Sequence, residues 1–383
     1  MATANKDRPL RILQVVGETN RGGAETWLLH VLRHSDRTRV QMDFLVHTQT
    51  RGAYDAELTS LGARVLVCEH PRNPIRYFRN LRRLWREYGP YDVVHSHVDY
   101  FGGFVLFYAA LLGARVRVAH SHNDTRGVDR AAGFWRRLYT RLMRFSIRIW
   151  ATAGAATSPA AAATLFGEYW ARDSRWRVMP ACIDLSPFEA AVNRHDMRRE
   201  LGIADGAIVV GHVGRFVEQK NQRFLVDIAE IAAQQNTRIL FVLVGDGPTK
   251  ASVEAAIAER RLQEKFLVLP GRDDVPRLML GVFDCFLFPS LYEGLGLAAV
   301  EAQAAGLLCY VSTGVPVEAI AVPALVERIP LSTGAAHWAE KILDALQSTS
   351  VQVAALDAVR SAGFDIQRNA RRLTEFYCHQ SSF

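Results

Sequence analysis

The sequence predicts an α/β protein of two doubly wound domains, each a parallel sheet covered by helices on both faces. Short apolar runs alternate with amphipathic, helix-length patterns along the whole chain, the rhythm of strands joined by crossover helices. At 383 residues the chain is long enough for two ordinary cores. Apolar residues make up 49% and charged residues 22%, a globular balance and not a disordered one.

Strands are expected near residues 11–16, 42–47, 64–68, 92–95, 115–119 and 149–153 in the first half. In the second they are expected near 207–213, 238–244, 266–269, 284–288, 308–311 and 325–329. The irregular stretch Met179–Asp196, with Pro180 and Pro187, is the expected boundary, giving domains over 1–185 and 186–365. A last helix is expected over about 366–380. The longest apolar patch, Gly103–Ala114, is about half of what a membrane span requires. No signal peptide is read in Met1–Pro9.

The strand ends carry the chemistry, because open α/β sheets bind ligands there. The first strand runs into Arg21-Gly22-Gly23-Ala24-Glu25 and a helix from Thr26. Paired glycines at such a turn let backbone amides approach a phosphate or a sugar. Later strands end in His95-Ser-His97 and His120-Ser-His122. The histidines of each pair are read as facing opposite ways, so a shared metal is not expected. In the second half, a buried strand ends in Gly214-Arg215, and Lys220-Asn221 precedes a helix over about 222–235. Two cations placed this way suit a diphosphate, although alone they also read as solvated charges. Finally Pro289-Ser290-Leu291-Tyr292-Glu293-Gly294-Leu295-Gly296 leads into a helix that carries Glu301. Two acids bracketing a glycine loop at a helix mouth suit a ligand with both phosphates and hydroxyls. Read as residues alone, they equally suit a turn whose acid faces the helix dipole.

The full string resembles the donor-site signature of family 4 glycosyltransferases. Pro289, Ser290, Glu293, Gly294, Glu301, Ala302, Ala304 and Gly306 match it position by position. Leu308 stands where relatives usually carry proline, and Pro180-Ala181-Cys182-Ile183-Asp184 lacks the usual glycine after the proline. Gly214-Arg215 with Lys220-Asn221 resembles the family's diphosphate clamp, and Gly22-Gly23-Ala24-Glu25 its N-terminal glycine loop. The resemblance implies the GT-B fold, two Rossmann-like domains facing a cleft, with the C-terminal segment 366–383 returning to the first domain. It implies that Arg215, Lys220, Arg272, Glu293, Gly294, Leu295, Glu301, Gly22 and Gly23 bind a nucleotide-diphosphate sugar. His122, with His120 as its alternative, joins Arg215, Lys220 and Glu293 as catalytic. The implied reaction retains anomeric configuration and needs no metal or cofactor. Leaving-group charge would fall on Arg215, Lys220 and loop amides, and the leaving phosphate would take the acceptor's proton. The string from Leu308 through Ile329 resembles the branch that builds capsular and exopolysaccharides. A nucleotide-sugar epimerase of the same fold and a catalytically silent sugar-nucleotide-binding partner are the alternatives.

Charge and cysteine bound the partners. Through Ala190 there are 27 Lys and Arg against 17 Asp and Glu; the remainder has 19 against 22, so nets of +10 and −3 make up the overall +7. The basic excess gathers in residues 72–86 and 126–150, where arginines alternate with aromatics. That pattern fits an anionic membrane surface, and relatives often use a lipid-linked acceptor in place of a free saccharide. It fits equally a solvated arginine face with aromatics packed inward. No nucleic-acid-binding signature is present, so a nucleic-acid partner is not expected. Five separated cysteines suggest a reducing cytosol and no structural zinc, hence a cytoplasmic protein, peripheral on the inner face of the membrane.

Overall fold

The computed structural model describes residues 8–69, 73–345 and 354–381. The chain divides into two compact units, Met1–Cys182 with Ile366–Phe383, and Ile183–Asp365.

The first unit is built on β1 (Leu10–Val15), β2 (Val40–Val46), β3 (Val65–Val67), β4 (Val93–Ser96), β5 (Val116–Ser121), β6 (Ala153–Ala156) and β7 (Trp176–Val178). The second is built on β8 (Ile208–Val213), β9 (Ile239–Val244), β10 (Phe266–Leu269), β11 (Cys285–Phe288), β12 (Leu308–Ser312) and β13 (Val326–Ile329). The sheet orders are β3-β2-β1-β4-β5-β6-β7 and β10-β9-β8-β11-β12-β13. Pairing is parallel in both, for example Gln14 beside His95 and Cys285 beside Val210. In each sheet the order reverses at its first strand, between β1 and β4 and between β8 and β11, where such sheets open a crevice for ligands.

Burial on both faces explains why the central strands read as apolar runs. In β9, Phe241, Val242 and Leu243 are all fully buried. The helix Gln222–Gln235 buries Leu225, Val226, Ile228, Ala229 and Ala232 against this sheet, and Trp338 and Ile342 join the same core. The C-terminal helix, Ile366–Ser381, belongs to the first unit and buries Ala370, Leu373, Phe376 and Tyr377.

Two elements differ from expectation. The sixth strand begins at Ala153, because the helix Phe134–Trp150 continues through the residues expected to open it. Met143 and Ile147 keep a helical apolar period running toward Trp150. The strand itself is Ala-Gly-Ala-Ala, with little intrinsic strand preference. β7 was not expected at all; it has three residues and lies at the sheet edge. Gly154 lets it close, since a Cβ there would strike the rings of Phe166 and Trp176, which stack 4.4 Å apart.

Candidate active site

In the second unit, the ends of β8 and β11 bring the expected donor residues together. After β8 the chain turns through Arg215, which is exposed, and a short 3-10 turn, Glu218–Lys220. Asn221 adopts a left-handed conformation and donates from its side chain to the Pro289 carbonyl at 3.2 Å. Gln219 bonds the same loop twice, through its side chain to the Tyr292 carbonyl at 2.9 Å and through its carbonyl to the Leu291 amide at 2.8 Å. These bonds fasten the cation turn to the glutamate loop. Lys220 Nζ then meets Glu293 Oε1 at 2.6 Å and lies 4.8 Å from the centre of the Phe288 ring. The Glu293 side chain is only 5% exposed, so the acid of this pair is buried and its lysine half-buried.

Gly294 and Leu295 are buried beneath the loop, and Gly296 turns into the helix Leu297–Ala304. Glu301 lies in that helix, and its carboxyl makes no hydrogen bond or ion pair among the described residues. Burial pushes its carboxyl up to about 7. Arg272, on the loop after β10, spends both its close contacts on Asp274, each at 2.7 Å, and is not joined to the Lys220–Glu293 pair.

One support was missed in the sequence. Gly245 and Gly247, after β9, run so close to the clamp turn that a Cβ on either would strike the Gly214 or Phe216 carbonyl. The readable signal was Val-Gly-Asp-Gly at a strand end. Asp246 between them accepts from the Gly271 amide at 2.6 Å, which joins the loops after β9 and β10.

In the first unit, Gly22 is the N-cap of the helix Gly23–His34, and Gly23 is its first residue. Its Trp27 is fully buried and covers a group of four imidazoles from the ends of β4 and β5, with ring centres 5.2 Å from His120 and 6.0 Å from His122. The expectation that the histidines of each pair face opposite ways is wrong. Strand side chains repeat every second residue, so positions i and i+2 share a face. The rings of His95 and His97 are 4.1 Å apart, as are those of His120 and His122. Across the strands, His95 Nε2 meets His120 Nδ1 at 3.1 Å and His97 Nδ1 meets His122 Nε2 at 2.8 Å. His97 Nε2 lies 2.9 Å from Gln14 Oε1, and His95 Nδ1 lies 2.6 Å from the Tyr377 hydroxyl. Burial holds all four imidazoles below their ordinary pKa, His122 at about 4, so they are neutral.

His95, His97 and His120 each place a nitrogen within 4.8 Å of the others, which makes them the candidate metal ligands among the described residues. A neutral imidazole has one lone pair. Every nitrogen of these three rings except His120 Nε2 is already hydrogen-bonded, so at most one lone pair is left for a cation.

The two arginine-rich stretches behave differently. In the helix Pro74–Tyr88, Tyr77, Leu81 and Leu84 pack inward, while Arg79, Arg82, Arg83 and Arg86 line a surface depression with Glu87. Arg72 lies outside the described residues, as does the side chain of Arg130. In the helix Phe134–Trp150 the buried face is Thr140, Met143 and Ile147. Phe134, Trp135, Leu138, Leu142, Phe145 and Ile149 are exposed, Trp135 by 79% and Phe145 by 64%, so these aromatics do not pack inward. No helix among the described residues is long and apolar enough to cross a membrane.

Two family models match the chain, "Glycosyltransferase Family 4" over residues 21–187 and "Glycosyl transferases group 1" over residues 193–355. EpsF of Bacillus subtilis (strain 168), named as a glycosyltransferase, is 36% identical over 373 residues, 96% of each chain. A UDP-Gal:alpha-D-GlcNAc-diphosphoundecaprenol alpha-1,3-galactosyltransferase of Escherichia coli is 35% identical over 139 residues, 35% of this chain and 36% of that one. The crystal structure of Anabaena HepE with UDP and glucose superposes with a TM-score of 0.78 at 19% identity, over 97% of this chain and 100% of that one. The paired parallel sheets, the donor-site string and a relative matched over nearly its whole length agree: the chain belongs to glycosyltransferase family 4 and has the GT-B fold.

Proposed function

We propose that the chain transfers a hexosyl group, with retention of configuration, from a nucleotide-diphosphate sugar to a saccharide or lipid-linked acceptor in the building of a surface polysaccharide. The observation that carries this reading is the 2.6 Å pair of Lys220 with Glu293. It brings a cation for phosphate and an acid for hydroxyls to one place at the switch point of the second sheet. Donor binding then exchanges partners: the diphosphate takes Lys220, and Glu293 is released to the sugar hydroxyls. Arg215 takes the diphosphate from the same turn, Glu301 takes the ribose hydroxyls, and Arg272 joins the donor site. The Gly294–Leu295 backbone and the Gly22–Gly23 turn supply amides, and His122 contacts the transferred sugar. As the sugar–phosphate bond breaks, negative charge grows on the leaving diphosphate and is met by these fixed donors. The leaving phosphate takes the acceptor's proton, and no metal or cofactor takes part. The acceptor named for the E. coli relative, a diphosphoundecaprenol-linked sugar, supports the lipid-linked alternative.

The same reading places the chain on the inner face of the membrane, docked through the helix Phe134–Trp150. At about 100° per residue, its exposed apolar stripe lies opposite the face that packs inward, with Arg137, Arg141 and Arg148 along one flank.

The test begins with a thermal-shift screen of nucleoside diphosphates, of which at least one is expected to raise Tm. Arg215→Ala and Lys220→Ala are each expected to lower turnover by on the order of 100-fold or more. Near-normal turnover in either variant, or a failure of every nucleoside diphosphate to stabilise the protein, would sink the reading. Turnover lost in chelator and restored by a divalent ion would overturn its metal-free part.

A further inference from the structure

The four imidazoles, Gln14 and Tyr377 form one hydrogen-bonded chain. In order its members are His122, His97, Gln14, Tyr377, His95 and His120. Each neutral imidazole has one N–H and one lone pair, so along each arm the direction of one bond fixes the next, and the Tyr377 hydroxyl, which can accept twice, is set by the one acceptor left for its proton, His95 Nδ1.

Met42 fixes that direction. The Gln14 amide nitrogen lies 3.6 Å from the Met42 sulfur and 3.1 Å from the Tyr377 hydroxyl. A thioether sulfur can only accept, so the amide group facing it is the NH2 and not the carbonyl. Gln14 Oε1 therefore faces His97 Nε2, which must carry a proton in order to donate to it. His97 Nδ1 is then a lone pair and accepts from His122 Nε2–H. His122 Nδ1 is left bare, on a half-buried ring with no partner for that nitrogen among the described residues. On the other arm, Tyr377 accepts from Gln14 and donates its own proton to His95 Nδ1. His95 Nε2–H passes to His120 Nδ1, and the buried His120 Nε2–H ends the chain without a partner. A single unpaired N–H at the end of the chain is the cost of holding the remaining groups in one direction.

We propose that Gln14 is a positioning residue: acting through His97, it holds His122 in the Nε2–H tautomer, so that Nδ1 is presented as a hydrogen-bond acceptor. In the reaction assigned above, on which the catalytic part of this inference rests, a bare Nδ1 accepts from a sugar or acceptor hydroxyl and cannot donate to the leaving phosphate. Tyr377 supports Gln14 from the C-terminal helix, so the tautomer of the histidine that follows β5 is set jointly from β1 and from the helix Ile366–Ser381.

The experiment is histidine ring-nitrogen NMR on the full-length chain labelled with 15N-histidine, with His122 assigned by its loss in His122→Ala. Wild type is expected to show His122 with Nε2 protonated and Nδ1 bare. Gln14→Leu removes the acceptor for His97 Nε2–H, and both His97 and His122 are expected to move to shifts averaged over two tautomers. Turnover in this variant is expected to fall roughly 10- to 100-fold with the donor KM held, since misplacing a contact group costs rate more than affinity. A wild-type His122 protonated at Nδ1 overturns the proposal, and that result does not depend on any variant folding. A Gln14→Leu spectrum with an unchanged His122 also overturns it. Full turnover in His122→Ala beside the expected wild-type tautomer would retire the sugar-contact role and leave the tautomer assignment standing.

Discussion

Glu293 and Glu301 sit eight residues apart in sequence and meet opposite conditions. Glu293 is buried but paired, so its charge is compensated. The half-buried Glu301 carboxyl has no partner among the described residues, and desolvation pushes it up to about 7 from 4.5. The sign of the consequence follows from linkage. A carboxyl with a raised folded-state pKa costs nothing below about 4.5, where it is protonated in both states. It costs progressively more as pH rises toward 7, and a constant amount above that. Glu301→Gln is therefore expected to stabilise the ligand-free chain at pH 8, by roughly 1–3 kcal/mol, and to leave it unchanged near pH 4. Paired thermal melts at the two pH values check this. The same variant is expected to weaken nucleoside diphosphate binding, so that stability and affinity move in opposite directions. Equal melts at pH 8 would mean that Glu301 is better solvated than its burial implies. Glu293 and Glu301 were legible as candidate donor contacts because they lie in one short string whose spacing survives without the fold. The role of Gln14 was not legible, because its partners lie 28, 83 and 363 residues away. The histidine pairs were legible as residues and misjudged as geometry.

At the scale of elements, the central strands were readable because burial on both faces makes them unbroken apolar runs. β6 and β7 were not readable, since alanine and glycine carry little strand signal and a three-residue edge carries less. The helix Phe134–Trp150 was visible as a basic, aromatic stretch, but composition did not tell which of its faces packs. With Thr140, Met143 and Ile147 turned inward, seven large apolar or aromatic side chains are left on the outside, Tyr139 among them. Binding to vesicles is expected to strengthen with anionic lipid and weaken with salt, at about 1 kcal/mol per arginine near the surface. Trp135→Ser with Phe145→Ser is expected to lower binding at every salt concentration and to leave nucleoside diphosphate affinity unchanged. Replacing Arg79, Arg82, Arg83 and Arg86 with Gln tests the other basic helix, whose aromatics are partly or wholly packed, and is expected to change only the salt-dependent part. Vesicle cosedimentation that ignores lipid charge even at low salt would return both helices to ordinary solvated surfaces.

For the whole molecule, the division between Cys182 and Ile183 leaves each unit its own sheet and core, yet the first is completed by residues from the far end of the chain. The C-terminal helix supplies Asn369, which accepts from Trp27 Nε1 at 2.8 Å and donates to the Pro180 carbonyl at 3.1 Å, and Tyr377, which holds Gln14. Ending the chain at Asp365 removes these together with the buried Leu373 and Phe376. The truncated chain is expected to lose the calorimetric transition of its first unit and to keep that of the second. Nucleoside diphosphate should still raise the transition that remains. A truncated chain with both transitions intact would show that the helix decorates the first unit and does not complete it.

The reach of 363 residues from Gln14 to Tyr377 also governs how the protein comes into being. A chain is made from its N-terminus at about 5–20 residues per second, so the first sheet leaves the ribosome tens of seconds before its closing helix exists. Through that interval the second unit is still being made, and the unit that began earlier waits with an apolar flank uncovered. The first unit, although begun first, is therefore finished no earlier than the second. An interrupted translation product contains no finished first unit, however nearly complete it is, and presents the cell with a surface for chaperones and proteases to recognise.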